Sequence, residues 1–219
     1  MKKTGPKYAM VIDASKCFNC KACIISCQLE NGVSPQDSRN WVKKLVKKES
    51  GEYHFQPANC MQCDEPSCVA ACPVLGATYK AKDGIVIIDQ TRCINCGNCV
   101  SACPYGARYR HPVKKVADKC DFCLHRISKG LKPACVVTCP TDARIFGDLN
   151  DPKSEASRLL ESGDLVRVIN AKVDTKPNIY FLKGTQPITW PREPELPGGI
   201  RMPIGFWRQQ YRKGGLMTN

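Results

Sequence analysis

The stretch CINCGNCVSACP at residues 93–104 places four cysteines close together, at Cys93, Cys96, Cys99 and Cys103, and ends in Pro104. The spacing C-x2-C-x2-C-x3-C-P is that of ligands to iron–sulfur clusters. Three cysteines at x2 spacing allow one loop to hold three corners of an iron–sulfur cube, and the fourth, three residues further on, ligates a second cube. The stretch therefore predicts one half of a two-cluster site.

The rest of the chain repeats this pattern. Cysteine accounts for 16 of the 219 residues, and the sixteen fall into four groups with none left over. A proline also follows the last cysteine of the second and fourth groups, whereas Gln28 follows that of the first. Because such groups exchange their fourth ligands in pairs, four groups predict four [4Fe–4S] clusters. The groups are 17/20/23/27, 60/63/68/72, 93/96/99/103 and 120/123/135/139.

Two other kinds of cysteine-rich site fit the pattern less well. Disulfide scaffolds are typically short secreted chains, and neighbours in a C-x-x-C-x-x-C run would have to pair across very tight loops. Zinc sites usually take two cysteines from each of two knuckles, whereas the first and third groups each hold three cysteines at x2 spacing and a fourth after x3.

The way in which the groups pair is open from the residues alone. An internal repeat relates VIDASKC at 11–17 to VIIDQTRC at 86–93, and PSCVAACP at 66–73 to PACVVTCP at 133–140. Such a duplication favours pairing the first group with the second and the third with the fourth. The short strand-like connection between the second and third groups favours pairing those two instead, with the first and fourth groups around them.

Several longer stretches resemble one family. They are YAMVIDASKCFNCKACIISCQLENG, NCMQCDEPSCVAACPVLGATY, DGIVIIDQTRCINCGNCVSACPYGARY, KCDFCLHRI and DTKPNIYFL, and they span roughly residues 8–182. The sequence is identified by them as a member of the four-cluster electron-transfer subunits of molybdenum-pterin oxidoreductases. That class includes dimethyl sulfoxide, polysulfide, thiosulfate, tetrathionate and arsenate reductases.

The resemblance implies a pairing of the second group with the third and of the first with the fourth. It assigns four cysteines to each of four [4Fe–4S] clusters, which are numbered here as the first to fourth cysteine sets. They are Cys17, Cys20, Cys23 and Cys139; Cys27, Cys120, Cys123 and Cys135; Cys60, Cys63, Cys68 and Cys103; and Cys72, Cys93, Cys96 and Cys99. Some members replace the second cysteine of the third group and hold a three-iron cluster, but Cys96 keeps it here.

No catalytic constellation is visible in the sequence. The three histidines, His54, His111 and His125, are isolated from one another, and lone histidines are usually structural. His125 follows Cys123 closely and is a candidate hydrogen-bond partner of a cluster sulfur. We therefore expect a non-catalytic subunit that moves electrons and makes no bonds.

The implied function is a relay in anaerobic respiration. Electrons would pass through the four clusters between a quinone-linked membrane anchor, or a cytochrome, and a molybdenum-pterin catalytic subunit. The first set would face the pterin and the opposite end would face the donor. The alternative is a free-standing soluble polyferredoxin that needs no fixed partner.

The charge of the chain changes once clusters are counted. The formal net charge is +13, which by itself would favour a nucleic-acid partner. Sixteen thiolates and four oxidised cores bring the loaded protein to about +5. The basic residues thus largely compensate the cofactors, and no nucleic-acid partner is expected.

The predicted fold class is α+β, with two pseudo-symmetric bacterial-ferredoxin-like modules. Residues 1–150 would hold both modules interleaved, and 151–182 would complete the domain with a helix and two strands. The helix is expected to have Asp151 as its N-cap and Gly163 as its C′ residue. Residues 183–219 carry spaced Pro and Gly together with aromatic side chains, which favours an extended arm on a partner subunit over a loose terminus.

The stretch NWVKKLVKKESGEYHF at 40–55 fits either one helical face or a hairpin, and the resemblance favours the hairpin. Its lysines, Lys43, Lys44, Lys47 and Lys48, would dock a partner or simply form a solvated face.

No apolar run is long enough to span a bilayer. The N-terminal residues have neither the apolar segment of a signal peptide nor a twin-arginine pair. The resemblance implies the periplasmic side of a membrane, reached by export together with a signal-bearing catalytic subunit. The alternative is a cytoplasmic complex.

Overall fold

A computed structural model describes residues 5–46, 53–168 and 173–184. Short helices lie between strands that mostly follow one another in antiparallel pairs, in agreement with the predicted α+β class. The strands are β1 (Tyr8–Ile12), β2 (Asn40–Val46), β3 (Tyr53–Asn59), β4 (Thr78–Lys80), β5 (Val86–Ile88), β6 (Tyr109–Arg110), β7 (Ala117–Asp118), β8 (Arg144–Asp148), β9 (Leu165–Arg167) and β10 (Ile179–Leu182). The helices are α1 (Ala22–Asn31), α2 (Ser67–Ala70), α3 (Asn98–Ser101), α4 (Leu124–Ile127), α5 (Ala134–Val137) and α6 (Glu155–Glu161).

A four-stranded sheet joins distant parts of the chain. Its strand order is β8-β1-β10-β9, with β1 parallel to β10 and antiparallel to β8. Side chains alternate between the two faces of a strand, and both faces of β1 are buried. Met10 and Ile12 face the main core, which includes several cysteines, whereas Ala9 and Val11 face α6. The sheet therefore fixes the start of the chain beside the segment that follows the last cysteine.

Three two-stranded sheets complete the architecture: β2-β3, β4-β5 and β6-β7. The antiparallel pairing of Asn40–Val46 with Tyr53–Asn59 confirms the hairpin predicted for this region. Lys47 and Lys48 lie outside the described residues. Lys44 lies over the ring of Tyr53, with its Nζ 4.2 Å from the ring centroid.

The helix predicted after the last cysteine begins later than expected. Its N-cap is Ser154 rather than Asp151, whose carboxylate instead accepts a hydrogen bond from the backbone N–H of Lys153 in the preceding turn. Pro152 lies in that turn as well. Gly163 has a positive φ of 73°, as predicted for the residue that ends the helix. The predicted arm lies outside the described residues, apart from Lys183 and Gly184.

Candidate metal centres

Each cysteine group begins with the same backbone turn. In all four groups the residue just before the second cysteine has a positive φ: Asn19 (66°), Gln62 (47°), Asn95 (56°) and Phe122 (58°). Non-glycine residues rarely adopt this left-handed conformation, and asparagine does so most readily. Four occurrences at equivalent positions indicate a loop that curls to aim its cysteines inward.

The helices explain the longer spacing to the fourth cysteine. Cys23 and Cys27 are separated by one turn of α1, so their side chains lie on the same face of the helix, one above the other. The helix α5 carries Cys135 and is followed by Cys139, again one turn apart. A single short helix can therefore present one thiol to each of two neighbouring sites.

The first cavity is lined by Cys17, Cys20, Cys23 and Cys139, together with Arg144. These four cysteines come from residues at both ends of the cysteine-rich region, and α1 packs against α5 to bring them together. The space between these residues measures about 340 Å³ and is partly open to solvent. It is thus lined by the whole first set.

The second cavity, of about 270 Å³, is lined by Cys27 and Cys135, each about one helical turn from a cysteine that lines the first cavity. All four cysteines of the second set line it: Cys27, Cys120, Cys123 and Cys135. Asn31, Arg39 and Met10 are among the other residues that line it. The segments of α1 and α5 therefore each contribute one thiol to both of two neighbouring groups of four thiols.

The third set lies in the middle part of the chain. Burial, followed by the neighbouring thiols Cys60, Cys103 and Cys68, raises the pKa of Cys63 to about 12. The pKa of Cys68 is raised to about 11, chiefly by burial, while Arg108 opposes the rise and the thiols of Cys60 and Cys103 add to it. These mutual effects show that the four thiols of the third set are near neighbours.

The fourth set is less completely defined by contacts. Cys93 and Cys99 belong to a small apolar cluster with Val86 and Ala117. The helix α2 packs against α3, which brings the loop containing Cys72 toward the loop of the third group. Cys96 is exposed, as is Cys20, the equivalent second cysteine of the first group.

The donor chemistry fits [4Fe–4S] clusters. None of the sixteen cysteines, all of which are described, forms a disulfide. Burial and the thiols of Cys135 and Cys123 raise the pKa of Cys27 to about 12, and burial raises that of Cys135 to about 11. Grouped thiols of this kind become ligands once cationic iron is bound, because the metal stabilises the thiolate form. Thiolates are the soft ligands that iron–sulfur clusters take.

Hydrogen bonds to the sulfurs come from residues that the cysteine pattern does not reveal. The hydroxyl of Thr175 donates to Cys63 Sγ at 3.0 Å. The side-chain amide of Asn59 donates to Cys120 Sγ at 3.6 Å. Backbone N–H groups add further bonds: Ala107 to Cys103 (3.4 Å), Ala117 to Cys93 (3.3 Å) and Phe122 to Cys120 (3.4 Å).

Asn31 occupies the role that the sequence suggested for His125. The amide nitrogen of Asn31 lies 3.6 Å from Cys27 Sγ and 3.7 Å from Cys123 Sγ. The Nε2 of His125 lies 2.8 Å from a carboxylate oxygen of Glu30 instead, on the half-exposed outer side of α4. The placement of Asn31 at the end of α1, one turn after Cys27, was the available sequence signal.

Comparisons with known proteins agree with this chemistry. Sequence profiles described as "4Fe-4S dicluster domain" match residues 51–149 and 16–77. The fold and its cysteine-lined cavities thus define a [4Fe–4S] iron–sulfur protein.

Individual relatives indicate a more specific class of iron–sulfur protein. A tetrathionate reductase subunit of Archaeoglobus fulgidus is 44% identical over 84% of this chain and 85% of the relative. A polysulfide reductase subunit of Wolinella succinogenes is 40% identical over 80% of this chain and 94% of the relative. A tetrathionate reductase subunit of Salmonella typhimurium is 40% identical over 80% of this chain and 72% of the relative.

The chain belongs to the family of iron–sulfur electron-transfer subunits of molybdopterin oxidoreductases, as the sequence motifs predicted. It is accordingly a non-catalytic subunit that carries electrons. Among the described residues, no helix is both long and apolar enough to cross a bilayer.

Proposed function

We propose that the chain holds four [4Fe–4S] clusters, one on each of the four cysteine sets, in two modules of two clusters. The first and second sets form the outer module, and the third and fourth sets form the inner module. The two cavities support this proposal most strongly, because each is lined by all four cysteines of one set. The clusters supply one-electron exchange, and the chain supplies their spacing, burial and hydrogen bonds.

The modules would meet between the second and third sets. Cys60, of the third set, is near enough to Cys120, of the second, to raise its pKa. Asn59 lies at the same place, since its amide nitrogen donates both to the carbonyl oxygen of Cys60 and to Cys120 Sγ. Electrons would therefore pass along the order first, second, third, fourth set, or the reverse, with one crossing between modules.

The two ends of this order coincide with exposed cysteines. Cys20 lies beside Phe18, whose relative exposure is 57%, and Cys96 lies close to Ile94, whose relative exposure is 65%. Exposed apolar groups around a redox centre suit docking to another protein. The first set would face a molybdenum-pterin catalytic subunit, and the fourth a quinone-linked membrane anchor or a cytochrome.

The assembly would operate on the periplasmic side of a membrane, exported with its catalytic subunit. Folding around clusters before export avoids the formation of disulfides in an oxidising compartment. Residues 1–150 would form the two modules and 151–182 would complete the domain. Residues 183–219 would lie as an arm on the partner, where their aromatic and arginine side chains suit an interface.

The experiment is iron and acid-labile sulfide analysis with a redox titration followed by EPR, on native protein purified anaerobically with any large subunit that accompanies it. About sixteen irons per chain, interacting reduced-cluster signals and a molybdenum-containing partner are expected. Zinc in place of iron, or about twelve irons or fewer in undamaged protein, would contradict the four clusters. Full loading without any partner would favour the free polyferredoxin instead. Protease is added to intact sphaeroplasts and to lysed cells that contain the native, partner-bound chain. Cleavage in intact sphaeroplasts indicates the periplasmic side, whereas cleavage only after lysis indicates a cytoplasmic complex.

A further inference from the structure

Two buried arginines follow the last cysteine of their groups at the same interval. The sequence CPYGAR at 103–108 ends in Arg108, and CPTDAR at 139–144 ends in Arg144. Their relative exposures are 1% and 2%. A buried cation is unfavourable unless other groups compensate its charge. The groups around these two side chains therefore indicate which negative charges the arginines compensate.

Arg144 lies between the two cavities of the outer module. It lines the first cavity and lies within hydrogen-bonding reach of Cys23. Its Nη1 lies 3.5 Å from the sulfur of Met10, a residue that lines the second cavity. Nη1 also donates to Asn59 Oδ1 at 3.1 Å, and the amide nitrogen of Asn59 donates to Cys120 Sγ. One guanidinium thus connects to both sets of the outer module.

Arg108 has the equivalent position in the inner module. Its neighbours include Cys60 and Cys68 of the third set, and it lies within hydrogen-bonding reach of Cys99 of the fourth. Its Nη2 donates to the hydroxyl of Thr78 at 2.9 Å, which holds the guanidinium in place. Each of these two guanidiniums is therefore held in place near thiols of both cysteine sets of its module.

We propose that Arg108 and Arg144 are potential-setting residues, each of which acts on both clusters of its own module. This inference rests on the proposed function, because it requires two clusters per module. A cluster on four thiolates is an anion, and an electron added to it repels the electron on its neighbour. A cation between the two clusters attracts the added electron on each and so offsets their repulsion. It favours reduction of both clusters, since Coulomb interactions are strong where water is excluded. Both clusters of a module would then be reducible within one potential range.

The test compares Arg144→Met and Arg144→Lys in the native, partner-bound protein by EPR-monitored redox titration. Arg144→Met replaces the guanidinium by an apolar side chain of similar length and so removes the charge. The midpoint potentials of both outer clusters are therefore expected to fall. Arg144→Lys keeps the charge, so both potentials are expected to stay near those of the unmodified protein. Arg108→Met should lower the two inner potentials instead. Arg167→Met is the matched control, because Arg167 pairs with the ring and hydroxyl of Tyr180, and it should move none.

Iron analysis of the same samples separates the two proposals. Fewer than four clusters in the unmodified protein would refute the proposed function, whereas unchanged potentials in a fully loaded Arg144→Met would refute only the role of the arginine. A shift in one outer cluster alone, or equal shifts in the Met and Lys variants, would also overturn it. Should Arg144→Met lose iron, Arg144→Gln decides the question. It removes the charge but keeps a polar amide that can donate to Asn59 Oδ1, so both outer potentials must fall if the cation sets them, and unchanged potentials would refute its role.

Discussion

The inner and outer cysteine groups build similar sites from very different stretches of chain. The second and third groups lie within residues 60–103, so their loops are neighbours in sequence as well as in space. The first and fourth groups, 17–27 and 120–139, are separated by the whole inner region. Their contact depends on α1 packing against α5 and on β1 pairing with β8. In the proposed outer module, the ligands meet only when segments distant in sequence are brought together, which we call closure. In the proposed inner module, the same ligand chemistry hardly depends on such closure.

Bringing the first and fourth groups together reduces the conformational entropy of the chain. Joining the ends of a longer loop requires more ordering of the chain, although the requirement grows slowly with length. In the outer module this ordering is offset by the sheet, by the helix packing and by metal binding itself, because metal-binding free energy becomes folding free energy. In the proposed inner module the metal would have to order only the shorter stretch that contains the second and third groups. Removing ligands should therefore affect the two modules unequally.

The largest effect is expected from replacing matched cysteines. Cys135 and Cys68 are equivalent in the repeats PACVVTCP and PSCVAACP, and both are buried. Cys135→Ala and Cys68→Ala should each lower the iron content from about sixteen to about twelve or fewer per chain. Cys135→Ala should in addition expose the chain to rapid limited proteolysis, because it releases the closure between distant segments. Cys68→Ala should leave the four-stranded sheet protected.

Iron analysis and anaerobic proteolysis followed by mass spectrometry check this pair. Equal protease sensitivity in the two variants would contradict the contrast between the modules: if both stayed protected, closure of the outer groups would not depend on their metal, and if both were cleaved rapidly, the inner groups would depend on theirs as strongly.

An ion pair gives a second and smaller test of the outer closure. Arg39 donates from Nε and Nη2 to the two carboxylate oxygens of Asp118, at 3.0 and 2.8 Å, and both side chains are buried. Its Nη1 also donates to Asn31 Oδ1 at 2.9 Å, which ties α1 to the segment before Cys120. Removing one partner leaves the other charge buried. Arg39→Met should therefore reduce stability by about 3–5 kcal/mol.

Arg126→Met is the control for this prediction. Arg126 pairs with Glu30 at 2.9 Å, which likewise ties α1 to the fourth group, but both side chains are about a quarter exposed. A solvated pair of this kind contributes roughly 0–1 kcal/mol. The midpoint of anaerobic urea unfolding, followed by cluster absorbance, measures both variants. Similar midpoints for the two would show that burial of the Arg39 pair has little bearing on closure.

The sequence predicts much of this arrangement, and the remainder has a physical reason for being missed. The spacing of Cys93, Cys96 and Cys99 predicts a curled loop, which the positive φ of Asn95 confirms. The hairpin at 40–55 is confirmed as well, but only the family resemblance favoured it over a helix. The assignment of sixteen cysteines to four clusters stays a prediction. Thr175 was missed because it is 112 positions from Cys63, and no local pattern encodes a hydrogen bond across that separation.

Arg144 and Arg108 were missed for another reason. In the sequence each is one of 33 basic residues, and charge counting treats them all alike. The shared interval in CPYGAR and CPTDAR was the available sequence signal, but only the fold shows that these two guanidiniums are buried near thiols. The start of α6 was misjudged because Asp151 and Ser154 are both good capping residues, and the preceding turn uses Asp151.

The smallest expected effect concerns a single hydrogen bond in the inner module. Thr175, with a relative exposure of 1%, donates to Cys63 Sγ at 3.0 Å and reaches it from a segment that joins the four-stranded sheet. A donor to a ligand sulfur stabilises the reduced, more negative cluster and so raises its potential. Thr175→Val keeps the shape and removes the donor. It should lower the potential of the cluster on the third set by roughly 40 mV, the equivalent of about 1 kcal/mol for one electron.

Thr175→Ser keeps the hydroxyl and should restore most of the potential, which a merely structural role for the methyl group would not predict. Thr138→Val is the matched control, because the hydroxyl of Thr138 bonds to Ser26 and to the carbonyl oxygen of Ala134 rather than to a sulfur. EPR-monitored titration of the three variants measures the shifts. If Val and Ser at position 175 lower the potential equally, the hydroxyl of Thr175 does not influence the cluster. The segment that contains Thr175 would then support the inner module through packing alone.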